Sequence, residues 1–148
     1  MRFSVLAFAG LACAAPSLMH RQEDYGYWNV TVTTESGRPG WQTRDVVARY
    51  HNPNIEDPFL GVCSYRFVPQ GTRPPVETST CTEGFEYSWG QPWYTLNLTQ
   101  TVEIGGEQVT LYGGSLLERR CGLGSGSACR AEGRIEAGIV PLSAEESN

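Results

Sequence analysis

From Trp28 the chain alternates with a period of two. Trp28, Val30, Val32 and Thr34 fall on one side, and Asn29, Thr31, Thr33 and Glu35 on the other. That period belongs to a strand with one buried face, because successive side chains point to opposite faces of a sheet. Ser36-Gly37-Arg38-Pro39-Gly40 breaks the pattern. Val46, Ala48 and Tyr50 restart it and end at the turn-forming run His51-Asn52-Pro53-Asn54. A third strand is predicted over Phe59 to Val68, with Cys63 inside it. Phe85 to Trp89 reads as a short aromatic strand. Tyr94 to Ile104 gives the clearest alternation, with Leu96, Leu98, Val102 and Ile104 inward against Asn97, Thr99, Thr101 and Glu103 outward.

The breaks between these runs are as informative. Gly105-Gly106 lies between two β-rich segments, and two glycines free to take positive φ predict a tight hairpin turn. The return strand runs from Glu107 to Tyr112, with Val109 and Leu111 inward. Pro69 to Pro75 holds three prolines, which cannot donate to a ladder, so an exposed loop is expected there, closed at its far end by Cys81. A last strand is expected from Glu132 to Leu142. No segment shows a sustained helical period. Seven or more short strands separated by turn signals predict an all-β fold, a compact antiparallel barrel or sandwich.

The N-terminus adds a compartment. Met-Arg, the apolar run Phe3 to Ala9 and small residues up to Ala15 have the form of a signal peptide, residues 1–15, with a further cut conceivable after Arg21. The apolar stretch falls short of the ~20 residues a membrane-spanning helix needs. A single domain over 22–142 and a polar tail over 143–148 follow, and no membrane association is expected. The 148-residue chain carries a formal charge of −5, and loss of Arg2 and Arg21 makes it two units more negative. All eleven basic residues are arginine. An acidic domain without a basic cluster argues against a nucleic-acid partner.

Of the five cysteines, Cys13 belongs to the leader, which leaves Cys63, Cys81, Cys121 and Cys129. An even number in an exported chain predicts two disulfides. Three pairings are open, and the sequential one, Cys63 with Cys81 and Cys121 with Cys129, closes the shortest loops. The spacings are not those of paired zinc knuckles, so no metal or other cofactor is expected.

Catalytic chemistry finds little footing. Once residues 1–21 are removed only His51 remains as a histidine, placed in a turn, where an exposed side chain is the ordinary outcome. Two of Glu83, Glu86, Glu103, Glu107, Glu132 and Glu136 meeting in space would make a glycosidase pair, though outward strand carboxylates usually only solvate a sheet. The expectation is that the protein is not an enzyme. Four tryptophans and seven tyrosines are a large aromatic complement. Alternation places Trp28 in the core, whereas Trp41 and Trp93 flank turn residues, where they could stack on a ligand or lid the fold. Asn29-Val30-Thr31 and Asn97-Leu98-Thr99 are glycosylation sequons, with Asn29 and Asn97 on the polar sides of their strands.

The order Cys121, a Gly/Ser loop, Cys129 and then Arg-Ala-Glu-Gly-Arg-Ile-Glu-Ala-Gly-Ile-Val-Pro-Leu resembles the last bridge and strand of the Alternaria major allergen family. These are secreted fungal proteins also described as hypersensitive-response-inducing elicitors. The Arg21-Gln22 junction, the aromatic start at Tyr27-Trp28 and the Cys63/Cys81 loop agree in order. The resemblance implies a β-barrel-like sandwich with sequential disulfides, secreted to the cell wall or apoplast. It also implies a non-enzymatic effector or allergen that binds a host extracellular protein or a small aromatic ligand. The family's extra N-terminal cysteine has no counterpart after residue 21, so a disulfide-linked dimer is not expected. A carbohydrate-binding module using Trp41 and Trp93, and a small glycoside hydrolase, are the alternatives.

Overall fold

The computed structural model describes residues 24–92, 94–122, 124 and 127–141. The leader, the segment up to residue 21, Trp93 and the tail lie outside the described residues. Nine strands follow one another: β1 (Tyr27–Gly37), β2 (Trp41–His51), β3 (Phe59–Gln70), β4 (Arg73–Cys81), β5 (Phe85–Gly90), β6 (Thr95–Ile104), β7 (Glu107–Leu116), β8 (Glu118–Cys121) and β9 (Ser127–Glu136). They form two antiparallel sheets, one of six strands in the order β4-β3-β2-β1-β9-β8 and one of three in the order β5-β6-β7. The sheets do not close into a barrel. They face each other as a sandwich, with β5 packed on β3 and β7 on β9.

The alternation read from the sequence becomes the core. Trp28, Val30 and Val32 of β1, Val46, Ala48 and Tyr50 of β2, and Ala131 and Ile135 of β9 are buried against Phe85, Leu96, Leu98 and Leu111 of the smaller sheet. Sheets pack about 10 Å apart when ordinary side chains interdigitate. Glycine lets them approach more closely at two points. A Cβ on Gly61 would stand 2.5 Å from the Phe85 ring, and one on Gly113 2.8 Å from Trp28. Gly113 is therefore an inward core position, and β7 continues through Gly113-Gly114 to Leu116 instead of ending at Tyr112.

Both disulfides join directly opposed residues. Cys63 pairs with Cys81 across β3 and β4, and Cys121 with Cys129 across β8 and β9, each with Cα atoms 4.0 Å apart. The sequential pairing holds, and each bridge fastens one edge strand of the six-stranded sheet. With all four sulfurs in disulfides, none is a thiolate available to a metal. Two intramolecular bridges suit an oxidising, extracellular-type environment.

Three further expectations are corrected, and one strand is added. Pro69–Pro75 is a hairpin, not a loop, with Gly71 at φ 62° in its turn. The ladder tolerates Pro69 and Pro74-Pro75 because the register shifts between Val68 and Gln70 and because β4 is an edge strand, where a missing N–H leaves no neighbour unsatisfied. β8, too short to show a period, is a further strand. The last strand runs from Ser127 to Glu136 and stops there, since its partner β1 begins at Tyr27, opposite Glu136. Beyond that point Ile139 and Val140 are 49% and 76% exposed. His51 closes β2 half-buried, stacked on Tyr27 at 5.2 Å, where an exposed turn residue is expected. Gly105 and Gly106 take the predicted positive φ, 59° and 82°.

A candidate binding cleft between the sheets

The two sheets differ in reach, and the difference opens a cleft. β1 and β2 are each 11 residues long, whereas β5, which covers their neighbour β3, has only 6. At the far end of the β1–β2 hairpin the inward positions of the larger sheet are therefore roofed incompletely. Their chemistry changes at the same point. Val32, Val46 and Ala131 make an apolar row, and the next inward row is Tyr65, Arg44, Thr34 and Cys129, aligned across four strands by the register. Gln42, Ser36 and Ser127 follow. A strand that buried its whole inner face would not place an arginine there.

The opposite wall comes from the smaller sheet and its connections. Phe85, Tyr87 and Trp89 alternate inward along β5, passing from fully buried to 36% exposed at Trp89. Trp89 meets Tyr87 and Tyr94 edge-on, with ring centres 6.2 Å and 6.0 Å apart. Tyr94 has φ 74°, and among the described residues it is the non-glycine residue with positive φ. Such a backbone is uncommon for a bulky side chain and concentrates at ligand sites. The enclosed space is about 350 Å³, within the range of small-molecule sites.

Two arginines face into this space. The Arg44 guanidinium lies 5.5 Å from the centre of Tyr65 and 5.9 Å from that of Trp89, and donates to the Tyr87 hydroxyl at 3.4 Å. Arg119 of β8 lies 4.4 Å above Tyr94 and donates to its hydroxyl. Arg119 is opposite Ala131, and the Cys121–Cys129 bridge sits two residues further along the same ladder. Tyr65 donates to Glu77 Oε1 at 2.9 Å, and that hydrogen bond to a carboxylate, with lesser help from desolvation and the Glu77 charge, raises the phenol above its ordinary pKa.

The residues singled out in the sequence fall elsewhere or at the margin. Trp41 opens β2, on the outward side of the alternation that turns Gln42 and Arg44 in, and its ring lies against Gly37. It borders a shallow depression with Arg38 and Gly40 that adjoins the cleft through Ser36, Gln42 and Ser127. Trp93 lies outside the described residues. Asn29 is exposed on the outer face of the larger sheet and Asn97 is half-buried on the outer face of the smaller. None of Glu83, Glu86, Glu103, Glu107, Glu132 or Glu136 lines the cleft, and Glu132 and Glu136 are held by Arg130 and Arg134 at 2.5 Å and 2.6 Å.

Arg44, Tyr65, Trp89, Tyr94 and Arg119 were not singled out as site residues by sequence. The available signal was the β2 alternation itself, which turns from Tyr50, Ala48 and Val46 to Arg44 and Gln42 without leaving the inward face. No family model, curated protein or solved structure matches the chain.

Proposed function

We propose that this is a secreted, non-enzymatic binding protein that holds a small planar aromatic ligand in the cleft between its sheets. The observation that carries the reading is the joint presence of two exposed-edge rings, Trp89 and Tyr94, and a cavity of about 350 Å³ floored by buried apolar residues. Aromatic pairs prefer edge-to-face or offset contacts, and a flat ligand adds a further such partner. A concave site favours a small ligand over a host protein as its occupant. The effector or allergen-like role is supported by the order of cysteines and strands and by the signal-peptide pattern of residues 1–15. Glycans at Asn29 or Asn97 would project from the outer faces and leave the cleft mouth open.

Tryptophan fluorescence, titrated with planar aromatic compounds and in parallel with soluble oligosaccharides, tests this. Aromatic compounds are expected to quench emission saturably, and Trp89→Ala to lower affinity at least tenfold while Trp41→Ala does not. Saturable binding of oligosaccharides that Trp41→Ala removes would replace this reading with the carbohydrate-module one. No saturable change with any aromatic compound ends it.

A further inference from the structure

The charges of the cleft narrow the ligand class, given the reading just proposed. Among the described residues Arg66, Arg120, Arg130 and Arg134 each have a carboxylate partner, at 3.0, 3.8, 2.5 and 2.6 Å. Arg38, Arg44, Arg49, Arg73 and Arg119 do not, and of these five Arg44 and Arg119 lie against rings, those of Tyr65, Trp89 and Tyr94, and donate to the hydroxyls of Tyr87 and Tyr94. In a chain with sixteen acidic and eleven basic residues, two arginines paired with rings instead of carboxylates stand apart. Both face one cavity.

We infer that the cleft binds an aromatic carboxylate, with its ring against Trp89 and Tyr94 and its charge shared between Arg44 and Arg119. A guanidinium lying on an aromatic face is fixed in orientation by that contact, and apart from the one Nη1 donor that each of the two gives to a tyrosine hydroxyl, its N–H edge remains to donate. That edge matches a carboxylate, which it can grip through two parallel hydrogen bonds. Holding the side chain in advance reduces the entropy lost when the ligand arrives. Glu35, on the outward side of β1, lines the rim of the cleft, and Glu77 is engaged by Tyr65. Neither is ion-paired with Arg44 or Arg119 among the described residues.

Calorimetric titration of the mature protein with naphthoate, the neutral isostere naphthamide, and cyclohexanecarboxylate separates the charge from the ring. Naphthoate is expected to bind at least tenfold more tightly than either of the others, and to weaken with added salt while naphthamide does not. Arg44→Gln should lower naphthoate affinity about tenfold and Arg119→Gln, more exposed to water, about threefold, with naphthamide affinity kept within about twofold. Arg49→Gln, on the outer face, should change neither. Equal affinity for naphthoate and naphthamide overturns the charge assignment and leaves the aromatic site standing. Tight cyclohexanecarboxylate binding overturns the role of the rings, and no binding by any of the three overturns both readings. Because the ligand comparison uses the unaltered protein, a variant that fails to fold does not blur the outcome.

Discussion

The indole N–H of Trp28 on β1 donates to Oε1 of Gln100 on β6, 2.5 Å away, and both side chains are wholly buried. This bond joins the two sheets through the middle of an otherwise apolar core. Gln100 occupies an inward position between Leu98 and Val102, and its Nε2 has no hydrogen-bond partner among the described residues. The two ends of this amide therefore act oppositely on stability. Gln100→Leu removes the orphaned Nε2 but orphans the indole, so the loss should be limited to about 1 kcal/mol, the net worth of one hydrogen bond. After Trp28→Phe neither end of Gln100 has a partner, and adding Gln100→Leu should then stabilise the protein. Denaturant titration of all four proteins reads this change of sign. The same cost for Gln100→Leu in both backgrounds would show that the bond does not couple the sheets.

The bridges fasten edges, so their loss should act locally before it acts globally. For separations of 18 and 8 residues, loop-closure entropy gives each disulfide about 2.5 to 3 kcal/mol. Replacing Cys121 and Cys129 by alanine should release the four-residue β8 and with it Arg119, one of the two cationic walls of the cleft. Replacing Cys63 and Cys81 frees β4, which carries no cleft residue. Both double variants should melt lower than the parent, and only the first should lose ligand affinity severalfold. Hydrogen exchange should show β8 amides deprotected in it while β1, β2 and β6 stay protected. An unchanged melting curve in reductant contradicts this account.

Asp45 gives the larger sheet a response to acid. Burial alone would raise its pKa, but hydrogen bonds from Arg66 and Ser64, together with the Arg66 charge, outweigh this and hold it below the usual carboxylate value. Arg66 Nη2 lies 3.0 Å from Oδ2 and Ser64 Oγ 2.6 Å from Oδ1. A depressed folded-state pKa contributes stability that is present above the unfolded value and lost as pH falls through the folded one. The pair is 43% and 32% exposed, so the contribution is discounted for solvent to about 0.5 kcal/mol. Asp45→Asn should thus lower stability slightly at neutral pH, and the difference should shrink as pH falls below the ordinary carboxylate range and through the depressed folded value. A difference from the parent that persists undiminished at the acid end would assign the effect to packing.

Much of this fold could be read from alternation, and the failures have physical causes. Trp28, Val30, Val32 and Leu96, Leu98, Val102 announce one buried face each, so β1 and β6 are legible. β4 is not, because all nine of its residues are exposed and neither face imposes a period. Its prolines sit where an edge strand and a register shift make them harmless. The cleft was hidden for a related reason. Arg44 and Thr34 lie on the core side of their strands, and only the length of β1 and β2 relative to β5 shows that this side emerges from the core. Trp89 and Tyr94 were visible as aromatics, but nothing in their spacing reveals that they face Arg44 and Arg119 across two sheets.

Tyr94 offers the most direct check on the cleft. Its φ of 74° places an aromatic residue in the left-handed region, where Cβ crowds the backbone and a non-glycine residue costs about 1 kcal/mol or more. The conformation is held by its surroundings: Leu117 N donates to the Tyr94 carbonyl at 3.2 Å, and Arg119 lies on the ring. Substituting alanine removes the ring and keeps the crowding, whereas glycine removes both. At an ordinary strand position alanine is the more stable of the two, by about 0.5 to 1 kcal/mol. Here the order should invert, with Tyr94→Gly more stable than Tyr94→Ala by about 1 kcal/mol in chemical denaturation. Both should lose aromatic-ligand affinity alike, because Arg119 loses the surface that orients it. If alanine proves the more stable, the backbone at residue 94 is not left-handed, and the placement of Tyr94 and Arg119 in one wall of the cleft fails with it.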